Sequence, residues 1–285
     1  MPSHRLRASP QLHIATPARL VPPPACATPP RLFALSPIVG YQNKSLNSGF
    51  NYVANTFVPV GVERSEMTLG DIKPNEDFVN SSIQFLTTGG ATAKVNDPNL
   101  GEVYATYIYW TEDDEPEDGA GWYFYADDDA AYNQNSRVIP FGDAYCVSRA
   151  SNETDAGLTY AGEVQTTAVT KSLVSGFNYV GNCCPVDLTL GDITPNEDFV
   201  NSSIQFLTTG GATAKVNDAN LGEVYATYIY WTEDDEPEDG AGWYFFADDD
   251  AAYNQNNRPL AAGEAFCVSR ASNETGATVT IPAAL

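Results

Sequence analysis

The chain repeats itself. Leu69–Thr154 returns as Leu190–Thr275 at a constant offset of 121 residues, without a gap and with about ten positions changed. Upstream, Ser48-Gly49-Phe50-Asn51-Tyr52-Val53 returns as Ser175-Gly176-Phe177-Asn178-Tyr179-Val180 at an offset of 127, so the first copy carries six extra residues between Asn55 and Leu69. An insertion of that kind belongs in an exposed loop. Copies of about 120 residues have the size of ordinary domains, and so long a period predicts beads on a string rather than a solenoid of small units. Each bead is expected to fold on its own, which divides the chain into 1–40, 41–164 and 165–285.

The copies read as all-β. Phe50 to Val53, Ser82 to Thr87, Val103 to Trp110, Trp122 to Ala126 and Ala144 to Ser148 are rich in β-branched and aromatic residues. Turn signals such as Gly89-Gly90, Asn96-Asp97-Pro98-Asn99, Asp118-Gly119 and Phe141-Gly142-Asp143 separate them, and no long 3.6-residue period appears. Trp122 and Phe124 alternate with Tyr123 and Tyr125, as in a strand with one face on a core. Val103 to Trp110 is apolar or aromatic on both faces, as a central sandwich strand would be. The expected fold is two tandem, near-identical β-sandwich or barrel-like modules after a disordered N-terminal tail.

Charge marks the tail. Residues 1–40 carry Arg5, Arg7, Arg19 and Arg31 and no acid, whereas ten bases face thirty-seven acids from Tyr41 onward. Pro22, Pro23, Pro24, Pro29 and Pro30 forbid helix in the tail and supply no core. Prolines and polar residues also interrupt every stretch that could serve as the apolar part of a secretory signal. The net charge of -23 argues against nucleic acid or an anionic membrane as partner, and no apolar run suits a membrane span.

Catalytic chemistry finds little footing. Both histidines, His4 and His13, precede the repeats, so the body lacks the usual general base and the commonest neutral metal ligand. Gly89-Gly90-Ala91-Thr92-Ala93-Lys94 lacks the spacing of a phosphate loop. Carboxylates are too many for any glycosidase pair to stand out. Glu112 to Asp118 reads as a solvated hairpin tip, mobile unless a cation neutralises it; neither this cluster nor Asp127-Asp128-Asp129 matches the twelve-residue calcium loop. No metal, no cofactor and no enzymatic activity is therefore expected. Cys146 and Cys267 are equivalent, yet the first copy has no other cysteine, so a disulfide within a module cannot belong to the shared fold. Buried thiols are the expectation there. Cys183 and Cys184 occur in the second copy alone.

The tryptophans offer one alternative. Trp110 and Trp122, with Trp231 and Trp243 in the second copy, flank the acidic tip. An indole face beside Asp118 or Asp239 would stack a sugar ring while the carboxylate accepts its hydroxyls. The competing reading, which we favour, is that these rings anchor the hairpin to the core.

Ser175-Gly-Phe-Asn-Tyr-Val-Gly-Asn-Cys-Cys-Pro185, Leu190-Gly-Asp-Ile193, the aromatic strand ending in Trp231, Gly242-Trp243-Tyr244 and Ala262-Gly-Glu-Ala-Phe-Cys-Val268 carry a resemblance. Their order is similar to that of a module repeated in large secreted or surface proteins of bacteria, notably of the Verrucomicrobia type. Those modules have a Gly-Asn-Pro opening, a Gly-Trp-Tyr centre and a Gly-Glu-x-Phe-x-Val close. The resemblance covers about residues 45–160 and 168–285, and it implies a non-catalytic β module of an exported protein. The first copy departs from it, with Ala54-Asn55-Thr56 in place of Gly181-Asn182-Cys183. The expected function is that of a non-catalytic structural or adhesive repeat protein, extracellular or on the cell surface. Its partners would be surface polysaccharide or other surface proteins. The alternative is a carbohydrate-binding module pair using the tryptophans and acids.

Overall fold

The computed structural model describes residues 38–60, 66–125, 129–150, 155–235, 237–246, 250–271 and 275–284. The proline-rich tail through residue 37 with Cys26, the acids Asp127 and Asp128, and Ala126 lie outside the described residues. The described chain is all-β, its only helical segments being three-residue turns of 3-10 helix.

In the first copy Gly121–Phe124, Thr106–Trp110, Ser81–Gln84, Ala144–Arg149 and Gly49–Ala54 lie side by side in that order, every pairing antiparallel. A smaller sheet is built on Gly157–Val164, which pairs with Val39–Ser45, Lys73–Pro74 and Phe57–Val58. The second copy repeats the larger sheet in the order Gly176–Gly181, Ala265–Arg270, Ser202–Gln205, Thr227–Trp231 and Gly242–Phe245. Its smaller sheet has Thr278–Ile281 paired with both Val169–Ser172 and Thr194–Pro195.

Strand alternation sets the core. Val53, Ile83, Tyr107, Trp122, Phe124, Tyr145 and Val147 project from one face of the large sheet and meet Leu158 and Tyr160 of the small one, with Leu69 and Ile72 among them. Ile204, Tyr228, Trp243, Phe245, Phe266 and Val268 do the same against Val279 and Ile281 in the second copy. The run Val103 to Trp110 is not one strand. It breaks at the buried Ala105, whose N–H donates to the Ala93 carbonyl (2.8 Å) and whose carbonyl accepts from Phe85 (3.1 Å). Gly101–Tyr104 forms a hairpin with Lys94–Asp97, while Thr106–Trp110 joins the large sheet. An apolar stretch on both faces looks continuous in sequence because the partner changes without any change of polarity.

One polar pair separates the two cores. The hydroxyls of Tyr145 and Tyr160 meet at 2.6 Å in the interior of the first copy. The equivalent positions are Phe266 and Ile281, so both hydroxyls are absent from the second copy. A hydroxyl left buried without its partner loses its hydration for nothing, whereas removal of both ends is nearly neutral. Tyr145→Phe alone is expected to cost about 1–3 kcal/mol. Tyr145→Phe with Tyr160→Phe should recover most of that, as read from urea midpoints of the three proteins.

Pro37–Leu285 forms one compact unit. The copies touch through contacts that recur when their roles are exchanged. Phe50 N–H donates to the Thr209 carbonyl and Phe177 N–H to that of Thr88, each at 2.8 Å. Ala54 N–H donates to Gly263 and Gly181 N–H to Gly142, at 3.2 and 3.3 Å. On the axis between them the rings of Tyr52 and Tyr179 lie parallel, 6.0 Å apart and 5° from coplanar orientation. This is the self-complementary packing of a two-fold dimer, made here within one chain. Gly49 and Gly176 enter it at φ of 90° and 94°, where a Cβ would fall 2.6 and 2.7 Å from the carbonyl oxygens of Thr209 and Thr88. Only glycine satisfies both the backbone angle and the approach.

Candidate functional site

The acidic hairpin forms where the sequence places it, between Thr106–Trp110 and Gly121–Phe124. Acids of its tip accept hydrogen bonds from within the hairpin and from the turn that follows it. Asp114 Oδ2 accepts from the Thr111 N–H and hydroxyl at 2.8 and 2.6 Å, which closes the 3-10 turn Glu112–Asp114 and lowers the Asp114 pKa. Glu112 accepts from Ala120 N–H and Glu117 from Ala130 N–H, both at 3.3 Å. These N–H groups offset part of the crowding of carboxylates. Among the described residues no three carboxylate, thiol or imidazole groups gather as metal ligands.

The tryptophans divide into two pairs. Trp122 and Trp243 are 0% exposed. Their indole N–H groups donate to the carbonyls of Ile72 (3.1 Å) and Ile193 (2.9 Å). Phe78 and Tyr109 pack edge-on against Trp122, and Phe199 and Tyr230 against Trp243. A ring so enclosed has no face for a sugar, which corrects the stacking role considered for Trp122 and Trp243 and agrees with the anchoring one. Trp110 and Trp231 are half-buried, and Asp118 and Asp239 stand exposed at the hairpin tips. Tyr123, on the opposite face of that strand, is also fully buried, its hydroxyl donating to the Gly119 carbonyl at 2.7 Å. The hairpin tip therefore roofs the strand it connects.

Cys146 and Cys267 stand directly across from Tyr52 and Tyr179 in their sheets, and so on the face that meets the other copy. Burial raises both thiols from 9.0 to about 12. They remain protonated and weakly nucleophilic at any ordinary pH. Cys183 and Cys184 are likewise buried and free, with the Cys184 thiol donating to the Pro282 carbonyl.

A cleft of about 430 Å³ opens where Phe85, Arg137 and Asp143 of the first copy meet Lys171, Phe177 and Tyr179 of the second. Lys171 Nζ sits 2.6 Å from Asp143 and donates to the Phe141 carbonyl at 3.2 Å. In the place related by exchanging the copies, Arg258 lies 3.3 Å over the Phe206 ring and 3.4 Å from Glu264. The longer Glu264 side chain reaches the arginine of its own copy, whereas Asp143 pairs with Lys171. Sequence reasoning missed this cleft, although a signal existed. Seven of the ten positions that differ between the copies fall within residues 136–145, the segment that contacts the neighbouring copy.

Compared with protein-family models, curated proteins and solved structures, the chain matches none of them.

Proposed function

We propose that this chain is a non-catalytic protein of the cell surface or secreted fraction, made of two tandem β-sandwich modules and serving a structural or adhesive role. The reciprocal packing of the copies carries this reading. Two similar bodies held about a two-fold axis by backbone hydrogen bonds and stacked tyrosines form a stiff unit that presents each surface twice. Such duplication multiplies weak contacts with surface polysaccharide or other surface proteins without new chemistry. No helix among the described residues is long and apolar enough to cross a membrane.

The test is surface labelling. Intact cells producing the protein, treated with a membrane-impermeant amine reagent, are expected to yield labelled chain. Label appearing only after lysis would remove the surface reading.

A further inference from the structure

The outer face of each large sheet carries more than the contact between copies. In the second copy Tyr179, Cys267, Gln205 and Thr227 lie in register on four neighbouring strands, and Phe246 follows, its N–H donating to the Thr227 carbonyl. The first two belong to the contact with the other copy. Gln205, Thr227 and Phe246 line a groove of about 500 Å³ with Ser203, Thr213 and the aromatic residues Tyr225 and Tyr253. Its size falls within the range of about 300–1,000 Å³ usual for small-ligand clefts. We propose that this groove, and its counterpart in the first copy, is a binding site for a neutral saccharide.

The chemistry of the lining selects that ligand. Phe246 is 65% exposed and Tyr225 61%, although large apolar rings gain free energy by burial. Tyr225 is held at the rim by Lys215, which lies 5.4 Å from the ring centre and is anchored to Glu223 at 2.8 Å. A pyranose presents an apolar C–H face to such rings and a belt of hydroxyls to their surroundings. The surroundings match. Gln205 gives Ser203 only a 3.5 Å contact and receives only a 3.4 Å contact from Thr213, so its amide retains capacity to donate and accept. Among the described residues no Asp or Glu lines the groove. An uncharged, hydroxyl-rich ligand fits this lining, and an acidic one would meet the field of the remaining carboxylates.

The counterpart in the first copy has the same parts. Tyr104 is 61% and Tyr125 67% exposed, Gln84 contacts Ser82 and Thr92 at 3.4 Å, and Lys94 lies 5.3 Å from the Tyr104 ring. Tyr125 replaces Phe246, which preserves the stacking face and adds a hydroxyl.

This inference deepens the adhesive reading by naming its ligand class, and its test is separate. The full chain is titrated by saturation-transfer NMR and calorimetry with hexasaccharides of β-1,4-glucan, α-1,4-glucan, β-1,4-mannan and β-1,4-xylan, and with oligogalacturonate. At least one neutral sugar is expected to bind at two sites, more tightly than the uronate. Tyr225→Ala with Phe246→Ala should halve the stoichiometry, and adding Tyr104→Ala with Tyr125→Ala should abolish binding. These rings are exposed, so the unfolding midpoint should hold. No binding of any neutral sugar, undiminished binding by the fourfold variant, or preference for the uronate overturns the inference. Surface labelling of a chain that binds no neutral sugar would leave the adhesive reading standing without this ligand.

Discussion

Trp122→Ala is expected to destabilise the protein by about 3–5 kcal/mol, and Trp243→Ala by a similar amount, the usual result of emptying a buried tryptophan site. Each indole is fully enclosed, touches two aromatic neighbours edge-on and donates to a buried carbonyl. Truncation leaves a cavity and strips the Ile72 or Ile193 carbonyl of its donor, and neither loss is made good by the strands around it. Trp122 N–H is itself held by the Asn135 side chain at 2.8 Å, as Trp243 N–H is by Asn256, so the backbone has little freedom to collapse inward. Urea unfolding followed by far-ultraviolet circular dichroism reads the effect. A midpoint equal to that of the parent protein would show that these rings are not core anchors. The same variants decide against the stacking role, because a surface platform would lose ligand at unchanged stability.

Gly181→Ala should be the second severe substitution, and it has a defined rescue. Gly181 and Ala54 are equivalent positions brought face to face by the packing of the copies. A Cβ at 181 would stand 2.4 Å from the Ala54 Cβ and 3.1 Å from the Glu264 carbonyl oxygen. The obstacle is a methyl fixed to buried backbone, with no rotamer to escape into. The strands would have to part, and with them the bonds from Ala54 to Gly263 and from Gly181 to Gly142. Overpacking of this kind costs about 1–3 kcal/mol. Ala54→Gly combined with Gly181→Ala places the methyl on the opposite side of the axis and should restore most of the loss. A double-mutant cycle then shows strong coupling between positions 127 residues apart. Simple additivity of the two changes would mean that the copies do not meet there.

The same contact explains a difference that the sequence comparison records without a reason. Ala54 stands where the second copy has Gly181 because two methyl groups cannot share the axis. Sequence comparison located the changes within 136–145, but nothing in a single strand states what lies beyond its outer face. The groove was hidden for a related reason. Tyr225, Phe246 and Gln205 come from segments separated in sequence, and an exposed tyrosine looks like a core tyrosine until its neighbours are known. Tryptophan, being the larger and rarer ring, drew the sugar-binding reading in part toward Trp122 and Trp243, which the fold buries. The acidic tip was recognised as a hairpin, yet its hydrogen bonds were not, since the N–H groups that reach Asp114 and Glu117 lie on turns whose shape the sequence leaves open.

Sequence alone determined the strand chemistry, the duplication and the hairpin, because alternation of side chains across a pleat and glycine-rich turns are local properties carried by neighbouring residues. It also located the buried thiols at Cys146 and Cys267, through their place on apolar strands. Tertiary structure alone decided that both faces of the aromatic strand Gly121–Phe124 are covered, where the apparent strand at Val103 to Trp110 changes partner, and that the copies meet about a two-fold axis. Those outcomes depend on pairings between segments far apart in the chain, and burial is a property of the pair.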